Sequence, residues 1–138
     1  MCVYLTYQSL EDWTTGRDIL RCNPSFHGES RYDCAIVNIE SPHLICARLL
    51  GLFRCTLPSG LQHNVALVHM FDPTTWKPST KWCGCQVHEE SHQHSFVLLK
   101  YLVCGAHMIP VFDAPKANKE KFYFNDLVDY DMFLRDGN

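Results

Sequence analysis

No stretch of this 138-residue chain is apolar for the roughly 20 residues that a membrane-crossing helix needs. Met1-Cys-Val-Tyr-Leu-Thr-Tyr-Gln8 has neither the basic start nor the long apolar centre of a secretory signal. Internal repeats, low-complexity tracts and long linkers are missing too, and so is any block of lysine and arginine. Non-specific nucleic-acid binding draws on clustered cations that displace counterions from phosphates, and 12 basic against 15 acidic residues, a formal charge of −3, do not supply them. Any such contact has to be local. With 46% hydrophobic and 20% charged residues, the composition argues against intrinsic disorder. A chain of this length suffices for one domain, residues 1–138, whose core needs no covalent staple.

Cysteine, in contrast, is plentiful at eight residues. Most of these, Cys34, Cys46, Cys55 and Cys104 among them, stand inside apolar runs, where cysteine behaves as a small buried hydrophobe. They read as reduced thiols of an intracellular protein rather than a disulfide framework.

The middle of the chain is a ladder of short strands. Arg31 to Ile39 and Ile45 to Thr56 are rich in β-formers on either side of Ser41-Pro42 and read as a hairpin. Leu57-Pro-Ser-Gly60 is the next turn and Asn64 to Phe71 a third strand. A loop with two prolines, Asp72 to Thr80, leads to a weak strand over Trp82 to Val87 and a polar tip at Glu89 to His94. Two apolar runs follow, separated at Gly105, and a last strand covers Phe122 to Val128. Ser9 and Asp12 suggest an approximate capping box for a short helix over Leu10 to Arg21. The expected fold is mainly β: a small, partly open BAH/SH3-like barrel of six or seven short strands with a short N-terminal helix. Its core is expected to hold Ile36, Val37, Leu49, Leu52, Phe53, Ala66, Val68, Val97, Leu99, Ile109 and Val111.

Four constellations bear on chemistry. Cys83, Cys85, His88, His92 and His94 are zinc-type ligands, but one residue between the cysteines is not the spacing of a zinc knuckle, and a solvated, His-rich tip is the preferred reading. Cys104 near His107, and Cys34 beside Asp33, pair a thiol with a neighbouring base, yet both thiols lie in runs that read as buried. Asp126, Asp129, Asp131 and Asp136 lack the central glycine of a calcium loop and read as a solvated acidic turn. The best surface candidates are Trp76 and Trp82 with Tyr101, beside Lys77, Lys81 and Lys100, where rings could stack on a base or peptide next to cations. No catalytic residue, metal ligand or cofactor is assigned.

Several blocks carry a family resemblance. Asp18-Ile-Leu-Arg-Cys-Asn-Pro-Ser-Phe-His-Gly28, Arg31-Tyr-Asp33, Ala47 to Phe53, Ala66-Leu-Val68, Gly105 to Phe112 and Asp131-Met-Phe-Leu-Arg135 occur in this order. Together they resemble the C-terminal module of the large Plavaka and Kyakuja–Dileera–Zisupton transposase-like proteins of mushroom-forming fungi. Phe96 to Met108 is similar, over a shorter span, to the closing strands of bromo-adjacent homology (BAH) domains. The resemblance implies an accessory module or a fragment standing alone, since the transposase carboxylates lie in an upstream core and no Asp or Glu here matches them. It implies a non-enzymatic, nuclear module that binds protein, chromatin or DNA, without a small-molecule substrate. The alternatives are a small zinc or thiol enzyme built on the Cys83–His94 cluster, and a decayed fragment without activity.

Overall fold

The computed structural model describes residues 1–10, 12–40, 43–75, 86–111 and 120–125. They form ten antiparallel strands: β1 (Cys2–Gln8), β2 (Thr15–Phe26), β3 (Glu29–Tyr32), β4 (Cys34–Glu40), β5 (His43–Thr56), β6 (Gln62–Pro73), β7 (Val87–Leu98), β8 (Leu102–Ala106), β9 (Met108–Pro110) and β10 (Lys121–Phe124). The one helical piece among the described residues is a 3-10 turn at Leu99–Tyr101. β1, β2 and β3 make a three-stranded sheet, and the rest form a seven-stranded sheet in the order β8-β4-β5-β6-β7-β10-β9.

The expected N-terminal helix is replaced by a β-hairpin. Asp12 Oδ1 accepts from the backbone N–H of Thr14 at 3.0 Å and from its hydroxyl at 2.7 Å, and Trp13 takes a φ of 62°, so the side chain that was to cap a helix tightens a turn. Beyond the turn the period is two, with Leu20 and Cys22 buried and Ile19 exposed between them and the turn. The polar tip expected at Glu89 to His94 also proves to be strand interior, because β7 runs through it.

The two sheets share one core. Leu5, Leu20 and Cys22 from the small sheet meet Ala35, Val37, Ala47, Leu49, Ala66, Val68 and Val97 from the large one. Two carboxylates stitch the layers: Asp18 accepts the Gly105 N–H at 2.7 Å, and Asp33 accepts the Arg21 N–H at 2.7 Å. Gly105 is therefore not a break between runs but a residue of β8, where a Cβ would come within 3.1 Å of Leu20.

The opposite face of the large sheet holds a second core of Cys34, Ile36, Cys46, Phe71, Cys104, Phe122 and Phe124. β8 and β10 lie near opposite ends of the strand order yet contribute to this one cluster, so the sheet curls around it. Only His107 separates β8 from its far partner edge β9 in the chain, but no ladder joins them, and the sheet is not closed into a barrel. Burial of β4 from both sides explains why Cys34 to Val37 is apolar without alternation. None of the six described cysteines is joined in a disulfide.

Most of the expected core is buried, with Leu52 and Leu99 partly so; Phe53 departs from it. Leu49 pairs with Val68 but Gly51 with Leu67, leaving Leu50 as an extra residue in β5. The bulge resets the alternation, so that Leu49 and Leu52 both face the core and Phe53 turns outward at 49% exposure. Ile109 and Val111 are half-buried and belong to neither core.

Candidate functional site

Of the residues expected to form an aromatic and basic site, Trp76, Lys77, Lys81 and Trp82 lie outside the described residues, as do Cys83, Cys85 and Asp126, Asp129, Asp131 and Asp136. Lys100 and Tyr101 are described. The Lys100 ammonium sits 5.2 Å from the ring centroid of Tyr101, and Tyr101 is itself packed against the first core. The ring is half-buried, packed on the core and approached by the Lys100 cation.

The bulge in β5 exposes a different surface. Strand pairing aligns Gly51 with Leu67 and Leu67 with Phe96, and beside that row Phe53 with Val65 and Val65 with Leu98. These residues share the outward face of the central strands, because Ala66 and Val97 between them are buried in the first core. The Phe53 and Phe96 rings meet edge to face at 6.0 Å and are 49% and 66% exposed. Phe53 lies over Gly51, where a Cβ would meet its ring at 2.7 Å, so the glycine makes room for the aromatic. The β5–β6 hairpin extends the apolar surface with exposed Leu57 and Leu61 at a tip closed by the Leu57 N–H to Leu61 carbonyl bond of 2.8 Å.

One row further in, the His69 and His94 rings stack at 4.3 Å, tilted by 11°. His69 Nε2 donates to the Ser91 carbonyl at 2.6 Å, which puts that ring's proton on Nε2. Ser91 is buried at a second bulge, where its hydroxyl donates to the Met70 carbonyl at 2.8 Å and accepts from the Gln93 N–H at 3.0 Å. This bulge holds the imidazole row in register.

A sequence signal for this face exists. All 15 acidic residues lie outside 41–71 and 91–112, and those two stretches hold six of the eight histidines with Arg48, Arg54 and Lys100. The acid-free segments supply β5, most of β6 and most of β7, which lie side by side, together with β8 and β9 at the two ends of the large sheet.

The inner core supplies little nucleophilic chemistry. Burial pushes the Cys34 thiol up, against the opposing pull of Arg48, so it stays protonated at neutral pH. Asp33, its expected partner, is engaged by the Arg21 N–H and by Arg31 Nε at 3.1 Å. Cys104 is buried in that core, whereas His107 lies on the exposed turn after β8, its Nδ1 2.9 Å from Asn125 Nδ2. Among the described residues no three His, Cys, Asp or Glu side chains converge as metal ligands.

His88 is a perturbed imidazole. Burial pushes it below its ordinary value of 6.5, while Asp72 pulls weakly the other way. An unfolded chain then binds more protons at this residue than the folded one, so its contribution to stability is complete above about pH 6.5 and drains away as pH falls towards the folded value. We expect unfolding free energy to drop between pH 7 and 5, and His88→Leu to show a shallower drop. Equal slopes in urea titrations of the two proteins would exclude His88 as a source of the loss.

Compared with protein families, with characterised proteins and with solved structures, the chain finds no match in any of the three.

Proposed function

We propose that this chain is a non-enzymatic interaction module that docks a protein segment, apolar with acidic flanks, across the outward face of β5, β6 and β7. The observation that carries the reading is the Phe53–Phe96 pair, two contacting rings about half or more exposed, which lie in the stretches 41–71 and 91–112 that hold no carboxylate. Covering one such ring gains about 1.5–3 kcal/mol, enough for two rings and two leucines to anchor a partner. The weak overall charge and the aliphatic tip at Leu57 and Leu61 favour protein over nucleic acid.

On the same footing we infer a lineage among the accessory modules of fungal transposon proteins, a BAH-like architecture and a nuclear setting. Their support is the ordered sequence blocks and the curl of the seven-stranded sheet.

Amide spectra recorded with an acidic amphipathic peptide, a histone-tail peptide, and single- and double-stranded DNA test the interaction reading. Shifts confined to the Phe53, Leu57, Leu61, Leu67 and Phe96 region with the acidic peptide are expected. Phe53→Ser with Phe96→Ser should keep the fold and weaken that binding by about 2 kcal/mol or more, roughly thirty-fold. Shifts with DNA alone would move the site to nucleic acid, and silence with every probe would end the binding reading.

A further inference from the structure

The outward face of the small sheet alternates cations with aromatic rings. On β2, Leu20 and Cys22 point into the first core, so Arg17, Ile19 and Arg21 point away from it. On β1, Leu5 is buried between Tyr4 and Thr6, which are exposed on the same outward side. Tyr4 pairs with Ile19, which makes Arg17 and Arg21 its two diagonal neighbours, about 7–8 Å away and within reach of a long side chain. On β3, Tyr32 packs on the core and turns Arg31 outward. The half-buried Phe26 ring lies between the last two cations in the row, its centroid 5.7 Å from the Arg21 guanidinium and 5.2 Å from that of Arg31. Across the face the order is therefore Arg17, Tyr4, Arg21, Phe26, Arg31.

Little negative charge opposes this row. Asp18 turns inward to the Gly105 N–H, Asp33 is occupied by the Arg21 N–H and by Arg31 Nε at 3.1 Å, and Asp12 is engaged by Thr14 in the β1–β2 turn. The one exposed carboxylate on these three strands is Glu29, at the tip across from Phe26. Among the described residues no ion pair holds Arg17 or Arg21, and the Tyr4 ring is 64% exposed. A guanidinium forks onto a phosphate, and an exposed ring beside it takes the face of a base. An acidic peptide would satisfy the arginines and leave the Tyr4 ring without a partner. A duplex keeps its base faces stacked on one another, so it is a single strand that offers both groups at once.

We propose that the outward face of β1, β2 and β3 binds single-stranded nucleic acid, with a base stacked on Tyr4 and backbone phosphates on Arg17, Arg21 and Arg31. Such a contact is local, as a chain of net charge −3 requires. It goes beyond the docking of a protein segment and uses the other side of the molecule: the core shared by the two sheets lies between Tyr4 and the Phe53–Phe96 pair. Either site can fail without the other.

The test is the fluorescence anisotropy of a labelled oligothymidylate of about ten nucleotides, titrated with protein over a series of salt concentrations. Three phosphate contacts give a slope of log K against log salt of about −2. Arg17→Gln, at an exposed position, should keep the fold and reduce the slope to about −1.4. Tyr4→Thr should leave the slope unchanged and weaken binding about tenfold, the loss that goes with one stacking ring. Amide shifts of the parent protein should centre on β1 and β2 and spare Phe53 and Phe96; should either variant not fold, these shifts and the slope decide. The Phe53→Ser, Phe96→Ser double variant should bind the oligonucleotide as the parent does. The proposal is overturned by absence of saturable binding at low salt, by equal or tighter binding of duplex DNA, by equal binding of polyglutamate or inorganic polyphosphate, or by loss of binding in that double variant.

Discussion

Leu49→Ala should lower the free energy of unfolding by about 3–5 kcal/mol, the upper part of the range for a buried leucine. Leu49 has no exposed surface, pairs with Val68 in β6, and lies in the core that both sheets share. Its N–H is bonded to the Asp33 carbonyl at 3.0 Å, so the backbone that would have to relax into the new cavity is tied to the chain entering β4. Cavities that cannot collapse are the costly ones. Leu52→Ala, only partly buried, should cost about 1–2 kcal/mol. Phe53→Ala, on the outward side of the bulge, should stay within roughly 0.5 kcal/mol. Urea midpoints read all three. If Phe53→Ala costs more than Leu52→Ala, the alternation in β5 is not reset at Leu50.

That ordering is what the sequence alone does not yield. Leu49 to Phe53 is an apolar run in which Leu52 and Phe53 are equally good core candidates, and the choice depends on one extra residue whose effect appears only once β6 pairs. Features written in neighbouring residues were legible: the hairpin across Ser41-Pro42 and the turn at Leu57 to Gly60, where Gly60 takes a φ of 84°. So was the third strand, which extends to Gln62–Pro73. The β1–β2 hairpin was not, because Ser9 and Asp12 serve a helix cap and a tight turn equally well, and the deciding partner strand is β1. The pairing of β10 with both β7 and β9 is remote in sequence and leaves no local mark. The exposed Phe53–Phe96 pair was missed for the same reason. Its rings come from β5 and β7, which meet only through β6. The blocks behind the family resemblance, by contrast, include Asp18, Asp33 and Gly105, which hold the two sheets together and so mark architecture rather than chemistry.

Inside the curl, removing one half of the Arg48–Glu90 pair should cost about 2–4 kcal/mol, whereas removing both should cost little. Arg48 Nη1 donates to Glu90 Oε1 at 2.7 Å, and both side chains are 25% exposed. The guanidinium lies 5.3 Å from the Phe71 ring centroid and 5.1 Å from that of Phe122, within reach of both faces, and it also reaches the Cys34 thiol. Glu90→Leu would leave this cation between two aromatic rings without its counter-ion. Arg48→Met would leave the carboxylate in the same place without its donor. Neither charge can simply turn to bulk water, as it could at a freely exposed pair, where the loss would be about 0–1 kcal/mol. The double variant Arg48→Met, Glu90→Leu replaces the pair with apolar groups of similar length in a pocket already lined by Phe71 and Phe122, and should return to within about 1 kcal/mol of the parent. Chemical denaturation of the four proteins closes the cycle. Additive losses in the double variant, or single losses no larger than a surface pair gives, would mean that the pair is solvated and that the curl of the large sheet is looser at β6 and β10 than the contacts of Arg48 require.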